Sequence, residues 1–423
     1  MLEENKILEI LSEWNALWKK EYLPRIITKD ICKVIGKEVI DLVGVRRSGK
    51  SSILSLIIKE LKLKESQILY VNFEEPAFVN YYSLALLDKI LEVYKTNINN
   101  KLRPYIFLDE IQLIPGWEKW VRKIRELNSA NVFVTGSSSK LLSKEFGSSL
   151  TGRHISFQIM PLSFKEYLTF KNKELPRNNA QLIKNKINYI KLFNKYLLEG
   201  GFPEYVLTNN KNLLKTYFDD IIYKDVAIRH NIRSLNLLRK LANFCVTNIS
   251  SPISYNSLKN TFKVSLDLIR SYLEYLEEAY LLFTIPIFSY SLKVQEQNPR
   301  KIYVIDNGLR NSVSFKFSKD LGKLAENLTF IELKRQQKEI YYWKNNGEID
   351  FVIKNKDDSL DLINVCYSEN SKIPEREINS LLEFKENYKS IKINKSIILT
   401  KDFESKNKDI LFIPLWKWLL LSK

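Results

Sequence analysis

Gly44-Val45-Arg46-Arg47-Ser48-Gly49-Lys50-Ser51 decides the fold of this 423-residue chain. The stretch satisfies G-x-x-x-x-G-K-[ST], and its flanks are those the motif needs: a strand-length apolar run at residues 39–43 before it and an amphipathic helical stretch at 51–62 after it. The two glycines let the backbone turn tightly enough for successive N–H groups to face phosphate oxygens, and the helix N-terminus adds its partial positive charge. Lys50 is then expected to reach the β- and γ-phosphates and Ser51 to ligate Mg2+, while Gly44, Val45, Arg46, Arg47, Ser48, Gly49 and Ser52 complete the nucleotide-binding set. The side chains of Arg46 and Arg47 read as solvated or structural. A chance match in a glycine-rich surface loop is disfavoured, because the chain has only 12 glycines in all.

A phosphate loop alone does not imply hydrolysis, so the next apolar run matters. Tyr105-Ile106-Phe107-Leu108 ends in Asp109-Glu110. A buried strand here would deliver Asp109 beside the metal and leave Glu110 to orient and polarise an attacking water. The competing reading is an acidic pair that caps the following helix. Val132-Phe133-Val134-Thr135-Gly136-Ser137-Ser138 reads as a further strand ending in small polar residues. In a sheet of this type it lies between the other two, which lets Thr135 or Ser137 hydrogen-bond the lytic water or the γ-phosphate.

Outward from these motifs, apolar runs at 39–43, 68–73, 105–108 and 132–135 alternate with amphipathic stretches, the pattern of an α/β domain on a parallel sheet. We expect a P-loop NTPase core over residues 1–162 and a helical lid over 163–230, with helices at 164–168, 180–198 and 212–228 broken by Gly200-Gly201-Phe202-Pro203. Residues 231–305 give helices at 235–249, 254–262 and 265–280, then two β-prone runs at 281–288 and 301–305, the outline of a winged helix. Residues 306–423 read as a smaller α/β domain, with helices at 323–335 and 375–388 and strands at 340–343, 348–353, 361–366 and 396–400.

Composition bounds the rest. Hydrophobic residues are 45% and aromatics 12%, enough apolar surface to exclude disorder over most of the chain. No apolar run approaches the roughly 20 residues of a membrane span and the N-terminus is acidic, so the expectation is an intracellular, cytoplasmic protein without membrane attachment. Three scattered cysteines, Cys32, Cys245 and Cys366, form neither a disulfide framework nor a metal clamp, and two histidines, His154 and His230, exclude a His-rich metal site. Lys and Arg number 66 against 49 Asp and Glu, a net charge of +17 that favours polyanions and makes nucleic acid the first candidate partner. A Lys-rich genome composition is the competing explanation.

With Leu108-Asp109-Glu110-Ile111-Gln112, the V-T-G-S-S-S-K-L-L run at 134–142, S-L-T-G-R at 149–153, P-L-S-F-K-E-Y at 161–167 and G-G-F-P-E-Y at 200–205, the chain resembles the prokaryotic AAA-type ATPases of the MNS/STAND-like group. The resemblance implies ATP as the nucleotide, and a core followed by a winged helix and a C-terminal domain similar to restriction-endonuclease-fold nucleases. It also implies that Arg153 acts like an arginine finger or sensor; from the residues alone Arg153 is a basic group after a glycine turn, with a surface ion pair as the alternative. The recognition helix of the winged-helix segment carries only Arg270 as a basic residue, and residues 231–300 hold eight Lys/Arg against five acids, so a protein-interaction or purely structural role stays open for it. In the C-terminal domain Glu326 and Asp350 match the nuclease carboxylates, but the E-x-K position reads Asn364-Val365-Cys366, so the expectation is a degenerate nuclease fold that does not cut DNA and is retained for binding or assembly; only if cleavage were found would Lys372, the nearest downstream candidate, replace the lost lysine. The expected function is a Mg2+-dependent, oligomeric ATPase that couples hydrolysis to conformational change and acts on DNA. The alternative is a nucleotide-gated protein-interaction switch that does not bind DNA.

Overall fold

The computed structural model describes residues 2–99, 101–136, 152–314, 320–368 and 373–422, and the chain divides into two compact units, Met1–Met160 and Pro161–Lys423. In the first unit five strands, β1 (Val39–Val43), β2 (Ile68–Asn72), β3 (Tyr105–Asp109), β4 (Asn131–Gly136) and β5 (His154–Gln158), form a sheet in the order β2-β3-β4-β1-β5. Every pairing in it is parallel. Among the described residues its α-helices are α1 (Glu4–Trp18), α2 (Ile26–Lys33), α3 (Lys50–Glu60), α4 (Leu84–Asn97) and α5 (Trp117–Glu126). All five β1 residues are buried, as a central parallel strand requires. Ile40 and Leu42 share one face of β1 and pack with Ile53, Leu54, Ile57 and Ile58, which recur at helical spacing along α3, and with Phe107 and Phe133 from the neighbouring strands. Each such side chain contributes about 1.5–3 kcal/mol on burial.

Two helices and one strand of this unit were not expected from the sequence. α1 and α2 precede the first strand, in a segment that carries none of the motifs. β5 escaped because its residues alternate, His154-Ile155-Ser156-Phe157-Gln158, and an edge strand needs no continuous apolar run. Two of the three polar residues on one face of it meet the buried Asp41 carboxylate of β1, with His154 Nδ1 at 2.8 Å and the Ser156 hydroxyl donating to the other oxygen. Since β4 separates β1 from β3, the loops leaving all three emerge at one edge of the sheet, where α/β folds bind ligands.

The second unit begins with α6 (Phe164–Phe170), started by a reciprocal cap in which Glu166 N–H donates to Ser163 Oγ and Ser163 N–H to Glu166 Oε2. The helix expected over 180–198 is instead two, α7 (Asn179–Lys184) and α8 (Lys186–Glu199), separated at Asn185. α9 (Pro203–Thr208) and α10 (Asn212–Asp220) follow, the latter running into a π-helical stretch, Ile221–Ile228. The Gly200-Gly201 break has a steric cause. Gly200 has φ +75° and a Cβ there would lie 2.1 Å from Asp306 Oδ1, while the Gly201 N–H donates to Asp306 Oδ2 at 2.6 Å.

Next come α11 (Leu235–Thr247), β6 (Pro252–Ile253), α12 (Tyr255–Phe262), α13 (Leu266–Glu278), β7 (Leu282–Ile285) and β8 (Arg300–Val304), with an antiparallel sheet in the order β6-β8-β7. The expected pairing of the two β-prone runs holds, but the segment between them carries a short helix, α14 (Leu292–Gln297). After α15 (Asn307–Val313) and α16 (Leu321–Arg335) a mixed six-stranded sheet follows. It comprises β9 (Glu339–Lys344), β10 (Glu348–Lys354), β11 (Leu360–Cys366), β12 (Ile393–Thr400), β13 (Ser405–Asn407) and β14 (Ile410–Pro414), in the order β13-β14-β12-β11-β10-β9. α17 (Glu375–Asn387) packs Leu381 and Phe384 against its core, and α18 (Leu415–Leu421) ends the unit. Among the described residues no helix is long and apolar enough to cross a membrane.

Candidate functional site

The loop between β1 and α3 is held in shape by its own chemistry and by two residues outside it. Gly44 has φ +146° and a Cβ there would lie 2.1 Å from the Ile159 carbonyl oxygen, so only glycine fits; Gly49, at φ +98°, opens α3. Lys50 is buried and its ammonium donates to the carbonyls of Gly44 at 3.0 Å and Val45 at 3.3 Å, which keeps it inside the loop. Ser51 is exposed at the start of α3 with Ser52 half-buried beside it. Arg46 leans away to pair with Glu74 at 3.3 Å, and Arg47 is exposed at φ +67°.

Arg25, just before α2, carries no motif and was not anticipated. Its guanidinium is buried and donates from Nη1 to Ser48 O at 2.9 Å and from Nη2 to Met160 O at 2.8 Å, clamping the loop to the second residue after β5. The contacts span 23 and 135 positions, and no sequence pattern announces them.

At the end of β3 the Asp109 carboxylate is fully buried. It accepts from the Thr135 hydroxyl on β4 and from Tyr70 Oη on β2 at 3.0 Å, and the Ser51 hydroxyl hydrogen-bonds to it as well. Burial, followed by the adjacent Glu110 charge, pushes Asp109 above the usual carboxylate range, while the three hydroxyls hold it back. Glu110 sits at φ +54°, a left-handed conformation uncommon outside glycine and asparagine, and its N–H donates to Thr135 Oγ1 at 2.9 Å. The Glu110 carboxylate accepts from Gln112 Nε2. Tyr70 and Gln112 are thus two further residues of the site; Gln112 lies in the quoted motif but was given no role.

The arrangement brings together Gly44, Val45, Arg46, Arg47, Ser48, Gly49, Lys50, Ser51 and Ser52 on one loop and helix start, with Asp109, Glu110 and Thr135 opposite them. Thr135 differs from expectation. Its single hydroxyl proton goes to Asp109 and its oxygen receives the Glu110 N–H, so it fixes the two carboxylates in place and does not reach outward. Ser137 lies outside the described residues. Arg153 does not join the site of its own chain. Its carbonyl accepts the Val39 N–H at the N-terminal end of β1, one strand length of about 13 Å from the loop. Its guanidinium pairs with Glu126 at 3.3 Å.

The set fits a nucleoside triphosphate. The Ser48 hydroxyl is fully buried without a hydrogen-bond partner, the first turn of α3 presents N–H groups with no partner within the helix, and the buried Lys50 ammonium is held within the same loop. Ser51 and Asp109 supply hard oxygen ligands of the kind Mg2+ takes.

Residues 36–168 match the model of an AAA domain, and residues 190–320 and 321–418 match two domains of unknown function, DUF8612 and DUF4143. An uncharacterized protein of Methanocaldococcus jannaschii, MJ1544, is 37% identical over 94% of this chain and 91% of its own length. An uncharacterized protein of Haemophilus influenzae is 30% identical over 95% and 98% respectively. Among solved structures, AMPPCP-bound DnaA from Aquifex aeolicus covers 60% of this chain and 86% of its own at 16% identity and TM-score 0.23. PCH-2 of C. elegans covers 66% and 69% at 13% identity and TM-score 0.26. Likeness at that level bears on neither ligand nor partner. Identity from end to end, together with the AAA domain over the loop and its carboxylates, settles the relationship: the chain belongs to the same family as MJ1544, and its first unit is an AAA-type P-loop ATPase domain.

Proposed function

We propose that this ATPase hydrolyses ATP with Mg2+ and uses the cycle to change the conformation of the second unit, acting on DNA. The observation that carries the catalytic part is the meeting of Lys50, Ser51, Asp109 and Glu110 at one edge of the sheet. Lys50 and the α3 N-terminus bind the phosphates. Ser51 and Asp109 hold Mg2+, which when bound neutralises charge developing on the phosphate oxygens. Glu110, oriented by Gln112, accepts a proton from the attacking water, and Thr135 keeps both carboxylates in register. Arg153, at the opposite edge of the sheet from its own loop, acts on the nucleotide of a neighbouring copy, which makes the working form a homo-oligomer.

The DNA part rests on the net charge of +17 and on reading α11 to β8 as a winged helix, a reading supported by its helix-strand-helix-helix-strand order, the returning strand β8 after the short α14, and the three-stranded sheet. One observation favours the partner-switch alternative. The only basic residue of α13, Arg270, lies 5.6 Å over the Tyr255 ring, which leaves that helix poorly equipped to read phosphates or bases. ATP turnover measured with and without DNA at two salt concentrations tests the choice. Stimulation that fades steeply with salt supports action on DNA. Turnover indifferent to DNA, without binding even at low salt, favours the switch.

A further inference from the structure

In the second unit the Lys301 side chain runs from β8, the central strand of the three-stranded sheet, into a ring of carboxylates carried by other elements. Its ammonium lies 3.1 Å from Glu326 Oε1 on α16, and 2.7 Å from Glu348 Oε1 and 3.0 Å from Asp350 Oδ1 on β10. The lysine side chain is 0% exposed, so no solute reaches it without displacing protein. The surrounding oxygens have further partners of their own. Asp350 Oδ2 accepts the Val365 N–H at 2.9 Å, Glu326 Oε1 also accepts the Tyr303 hydroxyl at 2.8 Å, and Glu348 Oε2 pairs with Lys344 at 3.4 Å. Asn364 Oδ1 accepts the Asp350 N–H at 3.2 Å and its amide donates to Ser380, which fixes the strand from the other side.

Glu326 and Asp350, 13% and 16% exposed, do not lie side by side without a cation between them, because their mutual repulsion grows as water is excluded, and the more exposed Glu348 adds a third charge to the same side. A metal ion and an ammonium are the two ways to supply it. Both present a compact positive centre to oxygen donors, at 2.0–2.6 Å for Mg2+ or Ca2+ and at hydrogen-bond distance for lysine. Here the position is filled by a group that is covalently tethered and cannot be diluted away. We propose that Lys301 is a built-in cation that takes the place of a divalent ion among Glu326, Glu348 and Asp350, so that this cluster takes up neither Mg2+ nor Mn2+ unless the ammonium is removed.

The remaining oxygens support this beside the distances: Asp350 Oδ2 is taken by the Val365 N–H and Glu348 Oε2 by Lys344, so the ring already has a donor at each of these positions. Lys301 reaches this cluster from a strand of the preceding module, while Lys372 lies outside the described residues. The inference is independent of the ATPase reading.

The test uses the full chain without nucleotide, melted in EDTA and in millimolar Mn2+, with bound Mn2+ counted by electron paramagnetic resonance. Wild type is expected to bind no Mn2+ that the Asp350→Asn substitution removes, and to melt alike in both media. Lys301→Ala, which leaves room for an ion and its waters, should melt roughly 10 °C lower in EDTA. It should regain at least half of that in Mn2+, and should lose the gain when combined with Asp350→Asn. Lys301→Ser is the second variant and should behave the same way. Asp350-dependent Mn2+ binding by wild type overturns the proposal. So does failure of both lysine variants to bind Mn2+, or to fold in its presence.

Discussion

Arg25 holds Ser48 by its backbone: the guanidinium Nη1 donates to the Ser48 carbonyl at 2.9 Å, from a residue outside every recognisable motif. Removing it frees a loop carbonyl to rotate and disturbs the N–H groups on the other side of the same peptides. Arg25→Ala should raise KM for ATP about tenfold and cost roughly 1.5–3 kcal/mol of stability, the range for hydrogen bonds to a charged group. Lys at this position supplies one point charge where a fork bridges two carbonyls, so Arg25→Lys should recover little. Nucleotide titration and thermal melting check both statements; an unchanged KM would show the clamp to be purely structural.

Lys50 and Glu110 should fail differently. Lys50 contacts phosphate in ground and transition states, whereas Glu110 acts on the water. Lys50→Ala should weaken nucleotide binding, while Glu110→Gln should bind near normally and lose about a hundredfold or more in kcat. Fluorescent-nucleotide binding beside steady-state turnover separates the two, and equal loss of affinity in both variants counts against the assignment.

Thr135→Val removes the hydroxyl that joins Asp109 to the Glu110 N–H and leaves two buried groups short of a partner. We expect a kcat loss of about ten- to a hundredfold with destabilisation of about 1–3 kcal/mol. Thr135→Ser should restore most of both. A serine variant as poor as the valine one would mean that the methyl packing, and not the hydroxyl, matters.

Arg153→Ala protein mixed with Lys50→Ala protein should show more activity than the sum of the two alone, because each supplies the part the other lacks. A mixture that never exceeds that sum, with a wild type active as a monomer, removes the role in a neighbouring site.

Asp306 gives a pH-dependent contribution to the second unit. Burial pushes it up to about 6, against the Gly201, Leu309 and Gly308 N–H groups that hold it down. Because its folded pKa lies above the unfolded value near 3.9, its contribution is full below about pH 4 and is lost as pH rises through 6, a difference of about 3 kcal/mol. Denaturant unfolding at pH 5 and pH 7 should therefore show a slope that Asp306→Asn flattens. Identical slopes in the two proteins would place the titration elsewhere.

The parts of the site legible in the sequence are those written contiguously. The loop from Gly44 to Ser51 and the pair Asp109-Glu110 carry their roles in adjacent letters, and the four apolar runs marked β1 to β4. What escaped depends on tertiary proximity. Tyr70 reaches Asp109 across 39 positions and Lys301 reaches Asp350 across 49, pairings that no spacing rule encodes. β5 escaped because its polar and apolar residues alternate, without the continuous apolar run that marks β1 to β4. Asn185 split an expected helix without a proline or glycine to announce it.

Gly44 abuts Ile159 and Arg25 grips Met160, the last two residues before the peptide that leads out of the ATPase unit. A protease cut at that peptide would turn the second anchor of the phosphate loop into a free chain end, with a carboxylate in place of an amide carbonyl beside the guanidinium. The isolated ATPase domain is thus not the same catalyst as the domain in the intact chain, and a truncation meant to simplify the enzyme should extend several residues past Met160 if the loop is to keep its native tension.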